Sequence, residues 1–141
     1  MAGPFGLALR EFAQKAEGRA DAAVRETVLE IGRRLVIRSP VDTGRFRSNW
    51  FYSLDSDSSA TTDDTGAQAV QGIGTIPAKA VGHVHSIVNN LPYAWRLENG
   101  WSKQAPLGMV ALTVVEFQGI VDGAARRAAG LDSIGVLGSD E

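Results

Sequence analysis

The amino-acid sequence predicts an α+β fold, with a small antiparallel sheet packed against a long N-terminal helix and a C-terminal helix. Three observations lead there. Both ends of the chain carry apolar residues at helical spacing, the middle carries aromatic residues at period two, and a long polar stretch separates the two candidate strands. Helices at either end of a short sheet pack as two layers, because each element has one apolar face to bury. At 141 residues the chain reads as one domain, 1–141, large enough for a single core.

In the first segment Phe5, Leu9, Phe12, Ala16, Ala20, Val24, Val28, Ile31 and Leu35 step by three or four, which keeps them on one helical face. Glu11 and Lys15, Asp21 and Arg25, and Glu30 and Arg34 stand one helical turn apart with the acid first, the stabilising orientation. Gly18 leaves open whether this is one helix or two in series. Ser39-Pro40 ends it, since the residue before proline is pushed out of helical geometry.

Val41-Asp42-Thr43-Gly44 reads as a turn, with Asp42 able to bond backbone and Gly44 able to take positive φ. The period then changes. Over Arg45–Leu54, Phe46, Trp50, Tyr52 and Leu54 alternate with Arg47, Asn49, Phe51 and Ser53, which predicts a strand with Ser48 as the one polar member of its apolar face. Arg45 and Arg47 would then point outward, either into solvent or towards the carboxylates of a neighbouring subunit.

Residues 55–74 are nearly all Ser, Thr, Asp, Ala, Gly and Gln. Such a stretch cannot bury enough apolar surface to offset ordering, so it is expected as a mobile polar loop or the tip of a long hairpin. A short helix or irregular turn is expected over Ala78–Val81 and a second strand over His83–Asn89. Leu91–Trp101 reads as a turn or one helical turn holding an aromatic cluster of Tyr93, Trp95 and Trp101, closed by Gly100. Those rings suit a core and an interface equally. Pro106 suits the first turn of a final helix, whose stripe is Leu107, Val110, Ala111, Val114, Phe117, Val121, Ala124 and Ala128. The β-branched run Thr113-Val114-Val115 also suits a strand, and length decides for helix. From 130 to 141 the chain is Gly-rich and acidic, expected as a flexible tail or docked only through Leu131, Ile134 and Val136.

Lys plus Arg number 14 against 16 Asp plus Glu, for a net charge of -2, which argues against nucleic acid as the main partner. The absence of cysteine excludes a disulfide scaffold, thiolate zinc sites and a Cys nucleophile. Met1 to Arg10 lacks the basic start and apolar run of a targeting segment, and no apolar run approaches the roughly 20 residues needed to cross a bilayer.

Each candidate for chemistry has a simpler structural reading. Asp42-Thr43-Gly44 matches the triplet of aspartic proteases, but a charged helix and Pro40 precede it where an apolar strand is required, so it reads as a turn. His83 and His85 would share one strand face and could begin a zinc site, yet sequence supplies no third ligand at a recognisable spacing. Glu98 has no opposed carboxylate placed near it, and is expected to bond backbone donors or an arginine and so fix the Tyr93–Trp101 turn. Asp55, Asp57, Asp63 and Asp64 lack calcium-loop spacing and read as solvated loop. Ser39, Ser48 and Ser102 lack a nucleophile elbow. No catalytic, metal-binding or cofactor-binding residue is assigned.

Two stretches carry a resemblance. One is Ser39-Pro40-Val41-Asp42-Thr43-Gly44-Arg45-Phe46-Arg47 after the first helix. The other is Asn90-Leu91-Pro92-Tyr93-Ala94-Trp95-Arg96-Leu97-Glu98-Asn99-Gly100-Trp101-Ser102, followed by Gln104-Ala105-Pro106 and the closing helix. Together they resemble the neck or tail-completion proteins of long-tailed bacteriophages, also described as head–tail connector or minor tail proteins. The resemblance runs in order from about Ala20 to Ala128, and the long polar stretch 55–74 departs from it.

It implies a virion protein with no enzymatic activity and no cofactor, made in the host cytoplasm. Such a protein forms a ring, usually hexameric, at the neck or top of the tail. Its implied partners are further copies of itself, an adjacent neck or head-completion protein, and tail terminator or tube proteins, with no specific nucleic-acid contact and no membrane. Pro40, Asp42, Thr43, Gly44, Tyr93, Glu98 and Gly100 carry the motif, and Arg45, Arg47, Trp95 and Trp101 are the candidate interface residues. Two other classes stay open: a tail assembly factor or chaperone absent from the finished particle, and a small metal-dependent hydrolase using His83 and His85.

Overall fold

The computed structural model describes residues 4–41, 43–99 and 108–130, with the side chains of 4–9 and 12 outside that description. The elements are α1 (Pro4–Arg38), β1 (Trp50–Leu54), β2 (His85–Asn89), α2 (Ala94–Glu98), α3 (Val110–Val115) and α4 (Phe117–Ala128). The fold is α+β, as the periodicities predicted. The expectations for Asp42, Gly100, Trp101, Ser102, Pro106, Leu107 and the tail from Leu131 onward lie outside the described residues.

α1 is one helix of 35 residues, about 50 Å long, and Gly18 does not break it. Among its described side chains, burial is confined to the second half. Residues 10, 11 and 13–20 are all exposed, and burial begins at Asp21, whose carboxylate accepts the Val81 N–H at 3.0 Å. The predicted stripe therefore divides: Val24, Val28, Ile31 and Leu35 pack in the core, whereas Ala16 and Ala20 do not.

β1 and β2 pair antiparallel, with Trp50 opposite Asn89, Tyr52 opposite Ile87 and Leu54 opposite His85. On its other side β1 is bridged by Gln71, which accepts from the Tyr52 N–H at 2.9 Å and donates to Trp50 O at 2.7 Å. β1 is thus the inner strand. Trp50 and Tyr52 join Phe46, Val70, Ile76, Leu91 and Met109 over the buried face of α1. Val70 nearly touches the backbone of α1 at Gly32, where even a methyl group would stand 2.9 Å from its Cγ2.

The predicted strand starts too early. Residues 45–49 form a tight coil ending in a 3-10 turn, Arg47–Asn49, and the strand begins at Trp50. Gly44 is the cause. Its φ of +89° reverses the chain, and its carbonyl accepts both the Ser48 N–H at 3.0 Å and the Ser48 hydroxyl at 2.8 Å, which holds the coil closed. The alternation that suggested a longer strand is real only from Trp50 onward.

The C-terminal helix also departs from expectation. It is two helices bent at Glu116, and the buried positions are Met109, Thr113, Ile120 and Ala124. The predicted stripe residues Val110, Val114 and Phe117 are exposed. Polar contacts set this rotation: Arg34 and Arg38 both grip Glu116, and the Thr113 hydroxyl donates to Met109 O at 2.8 Å. α4 then runs antiparallel to α1, ending where Arg127 lies 3.6 Å from Glu26.

Residues 55–74, expected as a mobile loop or hairpin tip, carry anchors that composition does not announce. Asn49, wholly buried, accepts the Thr62 N–H at 2.9 Å and donates to Thr62 O at 3.0 Å. Ser48 accepts the Ala67 N–H at 3.0 Å, and Asn90 donates to Ser58 O at 2.8 Å and Ala60 O at 3.0 Å. The segment also supplies Val70 to the core. A polar stretch is held here by polar side chains that satisfy its backbone.

Candidate functional site

The two motif stretches perform separate structural tasks. In the first, Pro40 is buried and Gly44 passes so close to Thr65 that an added Cβ would lie 2.0 Å from its carbonyl oxygen. Thr43 is exposed, and its hydroxyl accepts the Arg45 N–H at 3.2 Å. Ser39, also buried, accepts the Trp50 indole N–H at 2.7 Å while its hydroxyl donates to Leu35 O at 2.7 Å. That chain of bonds ties the end of α1 to the start of β1.

In the second stretch Glu98 is a clamp. One carboxylate oxygen accepts the N–H groups of Met109 and Val110, both at 2.8 Å, and the other accepts Ala111 N–H at 2.9 Å. The first N–H groups of a helix have no partner within it, so a carboxylate there both satisfies donors and meets the positive end of the helix dipole. The expectation that Glu98 bonds backbone donors holds, but the donors belong to α3, across the sequence from the turn it was expected to fix. Gly108, with φ +83°, sits against it: a Cβ would meet Glu98 O at 2.5 Å and Oε2 at 2.6 Å. Tyr93 lies at the other end of α2, its ring 6.0 Å from Phe46.

Arg45 and Arg47 do not project from a strand, since neither is on one. Arg47 turns back to donate to Ile37 O and Ser39 O, both at 3.3 Å, capping the last carbonyls of α1. Arg45 reaches Asp63 at 3.6 Å within the polar stretch. Both make contacts within this chain, and the expectation that they alternate outward from a strand is corrected. Trp95 remains displayed, at 70 % exposure.

His83 and His85 come together with rings 6.4 Å apart, but each has a local partner. His85 Nε2 bonds Ala80 O at 2.8 Å, so in the neutral ring it carries the proton and Nδ1 accepts the Tyr52 hydroxyl at 2.7 Å. His83 Nδ1 meets Asp55 at 2.8 Å. Asp55 takes φ +61°, its other oxygen accepts the Val84 N–H at 2.9 Å, and its own N–H donates to Val84 O at 2.8 Å. The Val84 amide, and after it His83, hold the Asp55 carboxyl below the usual range, while burial and the Asp55 charge push the Tyr52 phenol up. Among the described residues no group of three or more His, Asp or Glu could hold a metal ion.

Sequence reasoning missed the ion-pair chain along α1. Glu30 binds Arg33 and Arg34 at 2.7 and 2.6 Å, Arg34 continues to Glu116 at 2.7 Å, and Arg38 closes on Glu116 at 2.6 Å. The Arg33 hydrogen bond, with Arg34 behind it, lowers the Glu30 carboxyl to about 2, and Arg38 leads in lowering Glu116. The Glu30–Arg34 spacing was visible; Glu116 had no local signal.

Two open apolar grooves flank β2. One, of about 190 Å³, lies between Val28, Ile31 and Leu35 of α1 and Val110, Val114 and Phe117. The other, of about 420 Å³, lies between Trp50, Asn89, Trp95 and Met109. Ile87 and Val110 line both, so the two grooves adjoin along the strand as a trench divided at those side chains. Comparison of the chain with protein-family models, with curated proteins and with solved structures finds no match.

Proposed function

We propose that this chain is a structural protein of a tailed-phage virion, a ring component at the neck or the top of the tail that completes the tail and joins it to the head. The observation that carries the reading is the pair of motif stretches in the order and separation the resemblance implies, each working as a structural joint. Gly44 reverses the chain between α1 and β1, and Glu98 couples α2 to the start of α3. Two further features support it. The carboxylates that could have served chemistry, Glu98 and Asp55, are engaged by backbone N–H groups, and the displayed features are apolar and aromatic. Docking, rather than bond-making, suits that distribution.

In this reading the partners are further copies of the chain, an adjacent neck or head-completion protein, and tail terminator or tube proteins. Mass analysis of isolated particles tests it together with deletion of the gene. The protein is expected in the particle, and deletion is expected to leave heads and tails unjoined or tails malformed. Infectious particles of normal form from the deletion would refute it. Absence from particles, with tails still failing to form, would replace it with an assembly factor.

A further inference from the structure

Among the described residues the backbone of β2 has a free side. Tyr52 N–H and Trp50 O point to Gln71, so the alternate residues Phe51 and Ser53 are those that bond β2. Their partners in the register are Val88 and Ser86, and the Asp55–Val84 bond continues the same phase. The N–H and C=O groups of His85, Ile87 and Asn89 therefore face away from β1, and among the described residues no hydrogen bond of the backbone meets them.

Natural sheets protect such edges with lysine, proline or a bulge. His-Ser-Ile-Val-Asn has none of these, and pairs with β1 in unbroken register. Beside this edge runs the trench, walled by Val114 at 65 %, Phe117 at 48 % and Trp95 at 70 % exposure.

We propose that a second copy of this chain docks here, laying an extended segment along β2 with apolar side chains in the trench. The proposal rests on the ring reading above and names its contact. Area argues for a copy rather than a permanent partner. A buried aromatic contributes about 150–250 Å², so the exposed parts of Trp95 and Phe117 offer on the order of 200–250 Å². The valines and a strand edge about 17 Å long bring the face to on the order of 500 Å². A stable pair buries about 800 Å² on each side. One such contact is weak, and a ring in which every copy gives and receives it closes what a single contact cannot hold.

Sedimentation across a concentration series, with residue-resolved amide exchange, tests this. The wild-type protein should gain mass as concentration rises. The amides of His85, Ile87 and Asn89 should then slow at least tenfold, while those of Ser86 and Val88 are slow already. Val114→Lys, on the exposed wall, should need at least tenfold more protein to associate. Ile87→Pro removes an outward N–H without touching the inner ladder, and should abolish association.

If the wild-type mass stays constant to millimolar concentration, the contact is wrong. Association that leaves the three outward amides unchanged, or that Val114→Lys does not weaken, equally overturns it. Particle mass analysis is independent of all three measurements, so this contact can fail while the virion reading stands.

Discussion

Replacing Glu98 by alanine removes the acceptor for three N–H groups at the start of α3. Their surroundings set the cost. Met109 is only 1 % exposed, so its N–H cannot reach water, and an unsatisfied buried donor costs about 1–3 kcal/mol. Val110 and Ala111 are exposed, so water replaces the carboxylate there, at the few tenths to 1 kcal/mol typical of a lost cap in a wet site. The sum is about 2–4 kcal/mol. At roughly 3–4 °C per kcal/mol for a chain of this size, Tm should fall by about 7–15 °C. Glu98→Gln keeps an oxygen for two of the donors but turns an NH2 towards the third, and should lose about half as much. Gly108→Ala should also destabilise, since its Cβ would strike the same carboxylate. The double variant should lose less than the sum of the two, because both changes break one joint. Urea unfolding of the four variants beside the wild type measures this. A Glu98→Ala protein within about 0.5 kcal/mol of wild type would refute the clamp.

Three other outcomes follow from the same geometry. Gly44→Ala should cost at least about 2 kcal/mol, because φ +89° and contact with Thr65 O both oppose a side chain, and limited proteolysis should become faster within 55–74. Asn49→Ala strands the Thr62 backbone and should cost about 2–4 kcal/mol by urea unfolding, with the same gain in proteolysis. Glu30 and Glu116 have folded-state pKa values below their unfolded ones, so their contribution is complete above about pH 4.5 and is lost as pH falls towards about 2. Urea midpoints taken from pH 6 to pH 2 should drop through that window, and Glu116→Gln should flatten the drop; an unchanged slope would remove these ion pairs from the account.

Local patterns made the fold class legible. The residues Val24, Val28, Ile31 and Leu35 announced the buried half of α1, and Trp50 and Tyr52 the buried face of β1, because periodicity reports which side faces a core. Periodicity could not say how far a partner extends, so Ala16 and Ala20 looked equally buried. It also misassigned the closing helices. Val110, Val114 and Phe117 form an apolar line as good as the one that packs, and what decides between them is Glu116 meeting Arg34 and Arg38, some 80 residues away in sequence. Long-range polar contacts leave no local trace. The same limit applies to Ser48 and Asn49, which read as ordinary strand residues and are in fact the anchors of the polar stretch. Of the proposed interface, Trp95 was legible as an aromatic suited equally to core and interface, whereas its exposure and the open side of β2 needed the structure, the latter through the register with β1 and Gln71.

The overhang of α1 has a mechanical consequence. A helical rod clamped at its root by α4 and the arginine–glutamate chain, and exposed at residues 10, 11 and 13–20, behaves over that stretch as a cantilever about 16 Å long. A tilt of about 5° at the root, within the gentle curvature long helices show, sweeps the far end of that stretch through on the order of 1 Å. Gly18 stands on this beam with nothing within 4 Å of where its Cβ would be, so a residue of weak helix propensity falls close to the fulcrum. Whatever the tip reaches, its aim is set by the stiffness of a joint several turns away.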